Sequence, residues 1–220
     1  MNSCFIILAG GESKRFNSKI PKPYHYYRGK PLFLHSVDKA KKYGKFNKII
    51  LVINKKHKTH IKKLKLKNIK VIMGGRTRAE SAYKALKSIY KSNFRNVVIH
   101  DAARPNFSIK LLDKLINGLK VNDCVIPAIK STDSIKHKSL KKIINLKKKN
   151  IFLIQTPQAF NYKKLYELQN NKGVEITDDA NLFVRAGKKI KIINGEVNNN
   201  KITINSDIKV IGSIKYGLGF

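Results

Sequence analysis

FIILAGGESKRF occupies residues 5 to 16. Four large apolar residues run unbroken, Ala9 leads into Gly10 and Gly11, and Lys14 and Arg15 arrive together soon after. The apolar run is too short for an ordinary helix and does not alternate with polar residues. It reads as a strand buried on both faces, the pattern of a parallel sheet. In open sheets of this kind ligands sit beyond the carboxyl ends of the strands. A strand that ends in a Gly-Gly turn lets backbone N–H groups approach an anion closely. Ser13 adds a hydroxyl, and Arg15 and Lys22 can surround a phosphate with positive charge. The loop lacks the Gly-Lys-Ser/Thr of a Walker A motif and the spacing of GxGxxG. A Gly-Gly turn also serves as a plain turn, so the flanking sequence has to decide its use.

The same apolar signature recurs at Ile49–Ile53, Ile69–Met73, Val97–Ile99, Cys124–Ile126, Phe152–Ile154 and Ile190–Ile193. Between these runs lie helical periodicities. Leu32–Tyr43 places apolar residues at 32, 33, 34, 37 and 40. Ala79–Tyr90 places them at 79, 82, 83, 86, 89 and 90. Ser108–Leu119 repeats them at 111, 112, 115, 116 and 119 behind a Ser N-cap. Strand–helix alternation predicts an α/β fold, a doubly wound and mostly parallel sheet. Residues 130 to 150, KSTDSIKHKSLKKIINLKKKN, break the rhythm. They read as a disordered loop or as an arm that packs against a second subunit. No repeat or linker divides the 220 residues, which suit one domain and leave no room for a fused second enzyme.

Lys and Arg total 47 against 13 Asp and Glu, a net charge of +34. Such an excess attracts nucleic acid, anionic membranes or phosphorylated small molecules. Here the charge is mostly Lys and runs along the whole chain, the pattern of a compositional bias rather than a patch. Cys4 and Cys124 sit in apolar runs and show no metal-ligand spacing. Two buried thiols fit a reducing cytoplasm. FIIL is too short for a signal-peptide core. No apolar run approaches the roughly 20 residues of a membrane span.

Two more strand ends carry candidate chemistry. GGRTRAES, residues 74 to 81, puts Gly74 and Gly75 after a strand, Thr77 at a helix start and Ser81 on its first turns. A plain strand–turn–helix would read the same way. VVIHDAARP, residues 97 to 105, puts Asp101 at the sheet's carboxyl edge, where it can hold a hydrated Mg²⁺ or a ribose, with Arg104 close by. Small residues between them admit a ligand. QTPQAF (155–160), EITDDA (175–180) and NKITIN (200–205) add Thr156, Thr177 and Lys201, each of which also reads as a turn or cap residue.

In this order the motifs resemble the 2-C-methyl-D-erythritol 4-phosphate cytidylyltransferase family. They are the Gly-rich loop with Arg15, Pro21-Lys22, GGxxRxxS, HDAARP, QTPQ, ITD and the late Lys-x-Thr. The resemblance runs from Ile7 to about Asp207. It implies a Rossmann-like nucleotidyltransferase fold with a protruding dimerisation arm at about 130–150. It also implies CTP and methylerythritol phosphate as substrates, Mg²⁺ as cofactor and a homodimer with exchanged arms. Ala9, Gly10, Gly11, Ser13, Gly75, Ser81, Asp101 and Ala102 would bind the nucleotide. Arg15 and Lys22 would stabilise charge on the α-phosphate. Arg104, Ser134, Thr156 and Thr177 would hold the second substrate, with Lys201 positioning it. Three departures stand out: Ser13 where the family often has Gly, Ser134 in place of an arm Thr, and Lys148 where an arm Arg is expected. Lys148 keeps that charge but not the bidentate fork.

Two rival readings accompany this one. A ribitol 5-phosphate or other alditol phosphate cytidylyltransferase would share the CTP loop and differ around the arm, Thr156 and Thr177. A non-catalytic nucleic-acid-binding protein would use the positive charge. Against it, the basic residues are not interleaved with stacking aromatics.

Overall fold

The computed structural model describes residues 2–11, 16, 18, 20–139, 142–169 and 177–213, with side chains within the last helix described to Lys209. The first strand, β1 (Ser3–Ala9), is buried almost throughout. After it come a short hairpin, β2 (Tyr26–Tyr27) and β3 (Lys30–Pro31), and α1 (Leu32–Tyr43). The chain continues through β4 (Lys48–Ile53), α2 (Lys58–Lys63), β5 (Lys70–Met73), α3 (Arg78–Lys87), β6 (Asn96–Asp101) and α4 (Ile109–Gly118). The second half holds β7 (Cys124–Lys130), β8 (Ile135–Lys138), β9 (Ile143–Leu146), β10 (Phe152–Ile154), β11 (Gln158–Asn161), α5 (Tyr162–Leu168), α6 (Asn181–Arg185), β12 (Lys191–Asn194) and α7 (Asn205–Ser213).

The main sheet reads β5-β4-β1-β6-β11-β7-β12. Pairs β1–β4, β4–β5, β1–β6 and β7–β12 are parallel. Strands β10 and β11 run antiparallel. Val125 pairs with β11 and β12, and Ala128 with β10 and β12, so β10 and β11 follow one another along the same edge of β7. From β1 the chain winds outward to β4 and β5, then returns to place β6 on the other side of β1. The order of winding therefore reverses between β1 and β6, which stay parallel, and a crevice opens beyond their carboxyl ends.

Two apolar layers flank this sheet. One packs α1 and α4 against Phe5, Ile7, Leu51 and Val98. The other packs α3, α5 and α6 against Ile6, Ile50, Val97 and Phe160. Successive residues of β1 thus point into opposite layers, which is why its sequence is continuously apolar. Each large side chain buried in this way contributes about 1.5–3 kcal/mol.

Caps set the helix boundaries. Ser108 Oγ accepts from Leu111 N at 3.0 Å and Thr77 Oγ1 from Glu80 N at 3.0 Å. α3 starts one residue before the periodicity predicts and ends at Lys87 rather than Tyr90, where turns take over. Helix α1 ends on Gly44, whose φ of 69° is the left-handed stop that glycine adopts without strain.

The segment that breaks the rhythm is not a structureless loop over its described residues. It forms an antiparallel hairpin in which Ile135 pairs with Leu146 and Lys138 with Ile143, as a sheet of its own. Cys4 and Cys124 are buried free thiols, and burial pushes Cys4 up to about 12. Among the described residues, no helix is long and apolar enough to cross a membrane.

Candidate functional site

Beyond the carboxyl ends of β1 and β6 lies a cleft of about 300 Å³. Gly10, Gly11, Lys22, Gly75, Ser81, Asp101 and Lys201 all line it. Seven residues singled out from four separated stretches of sequence therefore meet at one place. Ala9 and Ala102 lie buried beneath, and Ala102 N donates to Leu8 O at 3.1 Å, which ties the two strand ends together. Ser13 and Arg15 lie outside the described residues.

The Gly74-Gly75 turn is held from below. Ser81 Oγ accepts from Gly75 N at 3.0 Å and donates to Thr77 O at 2.9 Å, while Glu80 Oε2 accepts from Arg76 N at 2.7 Å. A Cβ on Gly75 would fall 2.3 Å from Glu80 Cβ, so the turn passes too close to α3 for any side chain. A Cβ on Gly11 would meet none of the described residues within 4 Å.

Asp101 is the electrostatic centre. Arg78 Nε donates to its Oδ1 at 3.0 Å and Lys201 Nζ to its Oδ2 at 2.7 Å. Burial pushes its pKa up, but Arg78 and Lys201 outweigh that and hold it well below the usual carboxylate range. Arg78 also meets Asp179, Nη1 to Oδ2 at 2.8 Å. Asp179 is fully buried, and burial raises its pKa despite Arg78. Arg78 and Asp179 received no role from the sequence, although both stand inside quoted motifs. Their visible signal was the Arg of GGxxRxxS and the second Asp of EITDDA.

The remaining candidates occupy a second tier. Thr156 is buried; its Oγ1 accepts from Asp101 N at 3.0 Å and hydrogen-bonds with His100 Nδ1 at 3.1 Å. His100 Nε2 in turn meets Ser36 Oγ at 3.1 Å, and burial lowers the imidazole to about 3, so it is neutral. Arg104 donates from Nη1 to Asn199 O at 2.8 Å and from Nη2 to Ile154 O at 3.3 Å. Its guanidinium thus joins the Asp101 turn to the loop that carries Lys201. Thr177 is exposed, at the start of the turn that contains Asp178 and Asp179. Ser134 and Lys148 lie on or beside the hairpin, outside the cleft lining, and Lys148 Nζ donates to Thr132 O at 2.8 Å.

A larger hollow of about 410 Å³ opens near the amino-terminal ends of the strands, around Ser3, Tyr43 and Asp113. Its lysines, Lys45 and Lys120, are accompanied by Asp113, which accepts from Tyr43 Oη at 3.0 Å and Lys45 Nζ at 2.8 Å.

A family model described as 2-C-methyl-D-erythritol 4-phosphate cytidylyltransferase matches residues 3–214. A relative from Pelagibacter ubique, named bifunctional enzyme IspD/IspF, is 73% identical over 220 residues, covering 100% of this chain and 59% of the relative. The 2-C-methyl-D-erythritol 4-phosphate cytidylyltransferase of Fusobacterium nucleatum is 34% identical, with 94% of each chain covered. Among solved structures, the 4-diphosphocytidyl-2C-methyl-D-erythritol synthase of Anaerococcus prevotii superposes with a TM-score of 0.86 at 31% identity, covering 96% of this chain and 94% of that one. The chain spans about three fifths of the Pelagibacter relative and nearly all of the Fusobacterium one. It belongs to the 2-C-methyl-D-erythritol 4-phosphate cytidylyltransferase family.

Proposed function

We propose that the chain is a single nucleotidyltransferase domain that transfers a cytidylyl group from CTP to 2-C-methyl-D-erythritol 4-phosphate, in the non-mevalonate route to isoprenoid precursors. The observation that carries this reading is the convergence of the Gly-rich loop, Lys22, Asp101 and Lys201 on one cleft at the reversal point of the sheet. The substrate's phosphate monoester oxygen attacks the α-phosphorus in line. A new P–O bond forms, the bond to the bridging oxygen breaks, and pyrophosphate leaves with that electron pair. No protein nucleophile is needed, so positioning and charge neutralisation carry the catalysis.

In this reading the backbone at Ala9, Gly10 and Gly11, with Ser13, wraps the triphosphate. Lys22 and Arg15 neutralise the charge that grows on the α-phosphate. Gly75 and Ser81 flank the base, and Asp101 and Ala102 flank the ribose. Lys201, Arg104, Thr156 and Thr177 form the second-substrate side, completed by Ser134 and Lys148 from a partner's hairpin. Ile143, Ile144, Leu146, Phe152 and Leu153 expose apolar surface on or near that hairpin, which favours a homodimer with exchanged arms. Both Asp101 oxygens face cations, and among the described residues no group of three His, Cys, Asp or Glu side chains is placed to hold a metal ion. The chain's own donors therefore make a poor Mg²⁺ cage, and we assign the ion to the oxygens of the triphosphate. Two buried, unpaired thiols suit a reducing cytoplasm, where we place the enzyme.

The test is pyrophosphate release with Mg²⁺ and CTP, with methylerythritol phosphate and ribitol 5-phosphate supplied separately. Release with the first alone is expected. Release only with the second would keep the nucleotide site and change the acceptor. Silence with both, from folded protein, would remove the reading.

A further inference from the structure

Behind the turn from Asp101 to Pro105 lies a second chamber of about 370 Å³, and it shares no lining residue with the nucleotide cleft. Arg28, His35 and Lys39 bring three basic groups to its wall, beside Tyr27, Pro105 and Phe107. Arg28 and Gly29 form the two-residue loop of the β2–β3 hairpin, with φ of 46° and 79°. Asn or Gly adopts that conformation with less strain than an arginine. The Arg28 guanidinium lies 5.3 Å from the centre of the Tyr27 ring, at the chamber's edge.

Lys39, on α1, is half-buried. Its ammonium stands 5.0 Å from the centre of the Phe107 ring and donates to Pro105 O at 2.5 Å. Among the described residues no carboxylate lies within ion-pair distance of it. Glu196, the acid whose field acts on it, is bound by the Ser108 N–H and hydroxyl. A partly buried cation without a counter-charge is costly. Burial lowers Lys39 to about 8, helped by Arg28 and Lys30; burial, then Lys30 and Lys39, lowers His35, although a backbone hydrogen bond to Tyr27 opposes this. An anion placed among these groups would reverse their mutual repulsion.

We propose that this chamber binds a small phosphate-class anion, with Lys39 offering it a point charge and Arg28 adding a guanidinium at the edge. The site is separate from the nucleotide cleft. It touches the Asp101 turn only through Pro105, whose carbonyl Lys39 now holds.

Trace acetylation of the whole protein, read lysine by lysine by mass spectrometry, tests this. The probes are inorganic phosphate, pyrophosphate and glycerol phosphate, each against sodium chloride at matched ionic strength. An anion at about ten times its Kd leaves about a tenth of its sites open, so Lys39 labelling should fall about tenfold while Lys62 and Lys63 on exposed α2 keep their rates. Which of the three protects best distinguishes free phosphate from a diphosphate or a monoester. Arg28→Asn suits the same turn, so it should fold normally and lose the protection. Unchanged Lys39 labelling with all three anions, an equal fall at Lys62 and Lys63, or undiminished protection in Arg28→Asn would each overturn the site.

Discussion

Arg78 pairs with Asp179 at 2.8 Å, and the carboxylate is fully buried. The same guanidinium holds Asp101 through Nε, so one side chain at the start of α3 joins the cleft edge of the sheet to the turn that follows Thr177. Removing one partner of a buried pair leaves the other charge uncompensated, a cost of about 3–5 kcal/mol. Arg78→Met should therefore lower the urea midpoint strongly. Arg78→Lys should recover only part, because an ammonium cannot span two carboxylates. Adding Asp179→Asn to Arg78→Met should restore stability, since the stranded charge is gone. Equal midpoints for wild type and Arg78→Met would show that the bridge contributes nothing.

That bridge also shows where the sequence stops being legible. Helix α1 falls on the predicted residues 32 to 43, and Ser108 caps α4 as expected, because both depend on spacing within a dozen residues. The cleft was readable because strand ends can be located from apolar runs, and residues just beyond them share one edge of the sheet. Arg78 carries no signal of its own within GGRTRAES, since its partners lie far away along the chain and only folding brings them together. Strand β11 was missed for a related reason. Gln158 is buried but polar; its Nε2 donates to Asp178 Oδ2 at 2.8 Å, a contact that hydrophobic periodicity does not register.

Lys22 lines the same cleft as Arg78 and Asp101, on a short 3₁₀ turn flanked by Pro21 and containing Pro23. If it neutralises charge in the transition state, Lys22→Ala should lower kcat by about 10²–10³-fold, the usual loss for one preorganised donor. The KM for CTP should move much less. Steady-state pyrophosphate release measures both, and unchanged turnover would remove Lys22 from the chemistry.

The two glycine turns should respond differently. Gly75→Ala drives a methyl into Glu80 of α3 and should cost about 1–3 kcal/mol of stability, as overpacking does. Gly11→Ala meets no atom of the described residues within 4 Å, so the described part of the fold should tolerate it. Any loss of CTP affinity in Gly11→Ala then comes from the ligand's own approach to the backbone. Thermal unfolding beside CTP titration separates the two effects. Full CTP affinity in Gly11→Ala would mean the triphosphate does not pass there.

His100 gives the acid limb of stability a definite sign. Burial holds the imidazole at about 3, below the ordinary 6.5, so the unfolded chain takes up the proton first as the pH falls. Its contribution is complete above pH 6.5 and is lost on going down towards pH 3, at up to about 1.4 kcal/mol per pH unit. Asp179, whose pKa burial raises, works in the opposite direction. The difference between wild type and His100→Gln isolates the histidine, because Gln can still bond Ser36 and Thr156 without titrating. Urea midpoints for His100→Gln should fall less steeply with acid. Parallel curves would mean that His100 is not the group responsible.

The hairpin's role is decided by which subunit's cleft it serves. All four residues of β9 are exposed, with Ile143 at 64%, and among the described residues the two strands of the hairpin pair only with each other. Lys148 Nζ is satisfied locally on Thr132 O, which leaves its charge outside the cleft of its own chain. If the arm completes a partner's site, Lys22→Ala has a defective cleft and a sound arm, while Lys148→Ala has the reverse. Mixing the two after subunit exchange should then create sites in which a sound cleft meets a sound arm, and activity should rise above either variant alone. If the arm serves its own cleft, every chain in the mixture keeps one defect and no activity returns. Ile143→Lys with Leu146→Lys should abolish the gain on mixing and shift the protein to monomer in sedimentation, because two buried charges would oppose docking of the apolar edge.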